Sequence, residues 1–143
     1  MIEKIRNIKG TKDLLPNETF IWQELEKKIH NFNQQFGYKE IRTPVFEESS
    51  LFERGVGTET DIVNKEMYSW IDQGGTHLTL KPELTAPVTR AYIQHQLGKS
   101  NPINKLYYID SLFRRERPQK GRQRQFNQFG IEVFGSKFPE QDA

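Results

Sequence analysis

The spacing of apolar positions divides this chain into short elements of both kinds. Trp22, Leu25, Ile29, Phe32 and Phe36 recur at steps of three and four, the stripe of an amphipathic helix. Ahead of it, Asp13 to Asn17 with Pro16 predicts a turn. Behind it, Gly37 predicts a stop in the left-handed conformation. Tyr38 to Phe46 reads as a strand, and Pro44 within it has no N–H to give a ladder, which marks an edge, a bulge or a special interface. Residues 53–65, with Gly55, Gly57 and mixed polar side chains, read as a loop. Met67 to Ile71 and His77 to Leu80 flank Asp72-Gln-Gly-Gly75 and predict a hairpin. Thr85 is placed to cap a helix beginning at Ala86, with Pro87 tolerated in its first turn. Val88, Ala91, Tyr92 and His95 would form the inner face of that helix and Gly98 its end. Leu106 to Glu116 and Gln125 to Phe134 predict two further strands. The order helix, strand, hairpin, helix, hairpin predicts an α+β fold, an antiparallel sheet flanked by helices.

The last strand alternates cleanly. Phe126, Gln128, Gly130, Glu132 and Phe134 share one parity, while Phe129, Ile131 and Val133 share the other. Successive strand side chains point to opposite faces, so the second set is expected to be core. The first then presents an aromatic ring, an amide, a gap and a carboxylate. Just upstream, Arg114 to Arg124 holds six basic side chains and one acid, a local charge of +5 in a chain of net +2, so the rest sums to −3. A basic loop feeding such a strand suits a ligand with phosphates and a small polar group. A charged hairpin with one solvated face is the alternative.

Composition narrows the classes. At 143 residues the chain is one domain by size. With 34% hydrophobic and 28% charged residues and a mean hydropathy of −0.80, it is polar for a self-contained globule, as if a partner or further chain covered part of it. The absence of cysteine excludes disulfides and cysteine-based metal or nucleophile chemistry. His30, His77 and His95 are scattered, and no metal site is predicted. No apolar run approaches the roughly 20 residues of a membrane span, and Met1-Ile-Glu-Lys-Ile-Arg6 lacks the apolar core of a signal peptide. A soluble cytoplasmic protein is expected.

Several segments together resemble the histidyl-tRNA synthetases, class II aminoacyl-tRNA synthetases. Lys9-Gly-Thr-Lys-Asp-Leu-Leu-Pro16 is similar to the family's N-terminal signature. The first helix with Gly37-Tyr-Lys-Glu-Ile-Arg-Thr-Pro44-Val-Phe-Glu47 resembles motif 1, the dimer-forming helix and strand. Thr79-Leu-Lys-Pro-Glu-Leu-Thr-Ala86 resembles the amino-acid-binding segment, with Lys81 and Leu84 where bacterial members often carry arginine and glycine. Phe113 to Phe134 resembles motif 2, and Glu116-Arg-Pro-Gln-Lys-Gly-Arg122 is characteristic of the histidine enzymes. The resemblance runs through essentially the whole chain, in order.

That resemblance implies a histidine–tRNA ligase, which activates histidine with ATP and transfers it to tRNA(His), and a partial class II catalytic core over residues 1–143. Motif 3 and the anticodon-binding domain are absent from the sequence, so an N-terminal portion of a longer synthetase, with little or no activity alone, is expected. It implies Arg114 as the catalytic arginine at the α-phosphate, a rigid two-pronged donor for developing charge. ATP would also meet Glu116, Arg122 and Phe126, the last stacking on adenine. Histidine would meet Glu83, Leu84, Thr85, Gln128 and Glu132. Of these, Glu83 and Thr85 accept from its ammonium and Glu132 reads its imidazole, while Gly130 leaves room for it. Arg117, Lys120 and Arg124 would face tRNA from a mobile loop. Mg²⁺ is expected with ATP, and a homodimer through motif 1 is implied. Two other readings stand beside this one: the synthetase-like regulatory subunit of ATP phosphoribosyltransferase, against which the intact Arg117-Pro-Gln-Lys-Gly-Arg122 argues, and a non-catalytic nucleic-acid-binding piece.

Overall fold

A computed structural model of the chain describes residues 4–56 and 66–138. The first helix, α1 (Pro16–Gln35), starts earlier than predicted: Pro16 is its first residue rather than part of a turn, because a fixed φ and a missing N–H cost nothing there. It ends as predicted. Gly37 lies at φ +75°, its N–H donating to the Gln34 carbonyl at 3.1 Å, while Tyr38 N–H reaches Asn33 at 2.9 Å. This double closure needs a residue free of a Cβ penalty.

The predicted strand from Tyr38 to Phe46 is instead two: β1 (Lys39–Glu40) and β2 (Phe46–Glu48). They belong to different sheets, and Pro44 sits in the crossover between them, where no ladder is asked of it. Of the residues expected to form a loop, 53–56 instead belong to α2 (Ser49–Val56), and 57–65 lie outside the described residues. The hairpin forms as expected, with β3 (Ser69–Ile71) and β4 (His77–Leu80) antiparallel and Ile71 opposite His77. Next come α3 (Thr85–Gln94) and a single turn, α4 (Leu97–Ser100). The helix stops at Gln94 and the chain turns at Gln96, φ +52°, so Gly98 is not its end; it lies under the Tyr92 hydroxyl. His95 is exposed rather than part of the inner face, whereas Val88 and Ala91 are buried.

The long pair β5 (Asn104–Phe113) and β6 (Gln125–Phe134) is antiparallel over ten residues each. The two sheets are β1-β5-β6 and β2-β4-β3. In the first, β1 runs parallel to β5, so it is mixed rather than purely antiparallel. The α+β class stands. Among the described residues no helix is long and apolar enough to cross a membrane.

The core lies between α3 and one face of β5–β6: Leu84 and Val88 meet Leu106, Tyr108 and Leu112, with Phe126 and Phe134 against them. The face of β6 expected to be core is therefore the outer one. Phe129 is 43% and Ile131 49% exposed. Parity separated the two faces correctly, but hydrophobicity assigned them the wrong way round, since the functional face is the one the helix covers. The predicted stripe of α1 also divides. Trp22 and Ile29 are half-buried, while Leu25, Phe32 and Phe36 are exposed and Asn33 is the helix's one fully buried residue.

Candidate active site

The site gathers where β4 runs into α3 beside the β5–β6 hairpin. Between β4 and α3 the chain passes Lys81, Pro82 and Glu83, and this tripeptide is tied to the end of β5. Phe113 N–H donates to the Lys81 carbonyl at 3.0 Å, and Arg114 Nε donates to the Pro82 carbonyl at 2.9 Å. With Nε anchored, the Arg114 guanidinium lies over the Phe126 ring, 5.1 Å from its centroid. Its terminal nitrogen stands 4.0 Å from Glu116, which also pairs with Arg122 at 3.4 Å. These side chains and Glu66 line a cavity of about 640 Å³.

Glu83 caps α3, its carboxylate accepting from Ala86 N–H at 3.1 and 3.3 Å. Thr85 therefore does not cap the helix as predicted. Its hydroxyl instead donates to Glu132 Oε1 at 2.7 Å. Burial raises the Glu83 carboxyl above the ordinary carboxylate range; the Ala86 and Thr85 N–H groups pull it back, the charge of Glu132 raises it further and Arg114 lowers it. Two carboxylates in one another's field, one of them accepting from the Thr85 hydroxyl, are an arrangement that would suit a cation. Glu83 and Thr85 also line a second hollow of about 630 Å³, together with Leu51, Arg54, Arg90 and Ile93.

Phe126, Gln128 and Glu132 share the inner face of β6, opposite Leu112, Asp110 and Leu106 in turn. Glu83, Thr85, Gln128, Glu132, Arg114 and Phe126 therefore come together from three segments. Leu84 does not join them: its side chain is 2% exposed in the hydrophobic core. Gly130 has a different reason than room for a ligand. It lies opposite Tyr108, and a Cβ there would fall inside the Tyr108 phenol.

Tyr108 is the residue that sequence reasoning missed. Its phenol is raised by burial and then by the charge of Glu132, which places it at the edge of the carboxylate receptor. An aromatic covering a cross-strand glycine is a recognisable pair, but it becomes visible only once the register is known. Glu66 was also missed; its carbonyl accepts from Arg115 N–H at 2.6 Å.

The basic loop is compact at its tip. Gln119 and Arg122 exchange backbone hydrogen bonds of 3.2 and 2.9 Å around Lys120-Gly121. Arg117 and Lys120 are exposed. Arg124 is not at the tip: it sits at the base, its guanidinium 3.4 Å from the carbonyls of Glu116 and Lys9 and its N–H donating to Gly10 at 2.7 Å. The N-terminal segment is thereby fastened across the loop's root. Among the described residues no group of three His, Cys, Asp or Glu could hold a metal ion.

Comparison with known proteins bears on this arrangement. The family described as histidyl-tRNA synthetase matches residues 10–143. The histidine–tRNA ligase of Chloroherpeton thalassium is 57% identical over 141 residues, 98% of this chain and 33% of its own length. The crystal structure of apo histidyl-tRNA synthetase from S. aureus superposes with a TM-score of 0.77 at 38% identity, covering 97% of this chain and 31% of that one. A Bacillus halodurans structure described as an ATP phosphoribosyltransferase regulatory subunit/histidyl-tRNA synthetase gives 0.78 at 25% identity, covering 96% and 34%. The chain spans about a third of the length of the proteins it matches.

Proposed function

This chain belongs to the histidyl-tRNA synthetase family, and we propose that it forms the N-terminal portion of a catalytic domain that joins histidine to tRNA(His) at the expense of ATP. The observation that carries the reading is the junction of two unlike half-sites. A guanidinium and an aromatic ring, Arg114 with Phe126, face a cavity large enough for a nucleotide; Glu83, Thr85 and Glu132 form a cation receptor beside it. ATP and an amino acid are the pair that such a junction suits.

In the first step a carboxylate oxygen of histidine attacks the α-phosphorus of ATP, forming histidyl-adenylate as the bond to pyrophosphate breaks. Negative charge builds on the α-phosphate oxygens, and Arg114, held through Nε, presents its terminal N–H groups to it without reorganising. Phe126 supports adenine, with Glu116 and Arg122 at the rim of the same cavity. Glu83 and the Thr85 lone pairs take the ammonium, Gln128 lies beside them, and Glu132 orients the imidazole. The exposed Arg117 and Lys120 then meet the acceptor end of tRNA, with Arg124 bracing the loop rather than contacting RNA. Mg²⁺ would arrive with the nucleotide, since the described residues offer no group of three His, Cys, Asp or Glu ligands. The protein acts in the cytoplasm as a homodimer through the α1 side. Identity of 57% to the Chloroherpeton thalassium ligase, against 25% to the structure described as a regulatory subunit/histidyl-tRNA synthetase, favours this reading over the regulatory one.

Histidine-dependent exchange of pyrophosphate into ATP, measured on the full-length protein against the other amino acids, tests it. Exchange with histidine alone is expected. Absence of exchange, or equal exchange with unrelated amino acids, overturns the reading.

A further inference from the structure

Lys81 has no part in the chemistry above, yet it is completely buried. Its ammonium is held at 2.5 Å by Asp110 of β5 and at 3.3 Å by the Thr43 carbonyl in the crossover between the sheets. Its backbone is held as well, with N–H donating to Val45 at 3.0 Å and the carbonyl accepting from Phe113 at 3.0 Å. Four attachments thus converge on one residue, and the next two residues are those that aim the site. Pro82 supplies the carbonyl that anchors Arg114, and Glu83 supplies the carboxylate of the cation receptor. Asp110, at the other end of the ion pair, is the register partner of Gln128.

We propose that the ion pair between the buried Lys81 and the half-buried Asp110 is a positioning device, which sets the distance and angle between Arg114 and the carboxylate receptor. The inference rests on the ligase reading. A buried ion pair contributes little net stability compared with an apolar replacement of similar volume, whereas breaking one partner alone is damaging. The use of a charge at this point is then geometric: a charged hydrogen bond of defined direction fixes the tripeptide, where apolar packing would let it shift. A displacement of about 1 Å at reacting groups can cost about 10²-fold in rate.

The test uses the full-length protein. Lys81→Met with Asp110→Leu removes both charges together, so that neither is left buried alone, and Asp110→Asn keeps shape while removing one charge. Lys81→Arg keeps the pair. In the double variant, or in Asp110→Asn should the double variant not fold, kcat for histidine-dependent pyrophosphate exchange is expected to fall about tenfold or more, with KM for ATP and histidine within about threefold. Tm of the double variant should lie near that of the unaltered protein, and Lys81→Arg should retain most of the rate. A rate that stays at the unaltered level in the double variant, or in Asp110→Asn, overturns the proposal. So does a loss confined to KM, or a loss that Lys81→Arg suffers equally. Unaltered protein that exchanges no pyrophosphate would instead overturn the ligase reading beneath it.

Discussion

Two side chains carry opposite demands in this site. Arg114 must offer fixed positive charge, and its Nε bond to Pro82 fixes the guanidinium plane before any ligand arrives. Replacing it by alanine in the full-length protein should lower pyrophosphate exchange by about 10²–10³, the worth of roughly 3–4 kcal/mol of preorganised donor, with little effect on Tm. Lysine should rescue poorly, because it cannot keep the anchor and present a fork together. Glu83 must offer negative charge from a place that burial makes costly. Its folded-state pKa is raised, so the folded protein holds that proton more tightly than the unfolded chain. The stability it contributes is complete below the unfolded carboxylate pKa and is lost as pH rises through the folded value. A cationic ligand reverses the preference, because the ammonium favours the ionised form. Histidine binding should therefore release a proton in the window just above the ordinary carboxylate pKa and weaken as pH falls through the raised value. Calorimetric titration in buffers of different ionisation enthalpy measures this directly, and Glu83→Gln should abolish it. Glu132→Gln, by contrast, should weaken histidine by about 1.5–3 kcal/mol while leaving ATP nearly unchanged.

At the scale of elements, the hairpin β5–β6 determines where these side chains stand, and its register sets Tyr108 opposite Gly130. A methyl group added there meets the phenol itself. Gly130→Ala should cost about 1–3 kcal/mol by overpacking and disturb the Glu132 carboxylate with it. Adding Tyr108→Ala should restore the space, so urea midpoints of the two single variants and the pair should be strongly non-additive. This pairing also explains how much the sequence could tell. The bounds of β6, the β3–β4 hairpin and the Gly37 stop were legible, because each depends on local rules of alternation, turn chemistry and left-handed backbone. That Phe126, Gln128 and Glu132 share one face of β6 was legible from alternation. Pro44 was legible as a break in pairing but not as a crossover between two sheets, and α2 was hidden by its glycine-rich neighbourhood. Tyr108, the Pro82 carbonyl and the bracing role of Arg124 depend on contacts between residues tens of positions apart. Single-chain patterning carries no such register. The inverted faces of β6 have the same origin: apolarity predicts burial, but here the buried side is the one shaped for a polar ligand.

For the molecule as a whole, the unusual quantity is exposed apolar surface. Leu25, Phe32 and Phe36 stand out from α1, with the Phe32 and Phe36 rings 4.7 Å apart. Phe129 and Ile131 lie bare on the outer face of β6, and Phe46 packs edge-on to an exposed Trp70 on the second sheet. Patches of this extent mark surfaces that are covered in the working assembly. If the chain, which spans a third of its relatives' length, is part of a longer polypeptide as proposed, two covers compete: further chain and a second copy. They can be separated by where a charge does harm. If α1 and the adjoining strand form a two-fold interface, as the motif 1 resemblance implies, each copy offers the same patch to the other. Leu25→Lys with Phe32→Lys should then cost the fold little, since both positions are already exposed within one copy, yet convert a full-length dimer to monomer at micromolar concentration. Ile131→Lys should do the reverse if further chain packs on the outer face of β6, lowering Tm while leaving the sedimentation coefficient of the folded fraction unchanged. A full-length protein that sediments as a monomer, or a dimer indifferent to the two lysines on α1, would place the two-fold interface elsewhere.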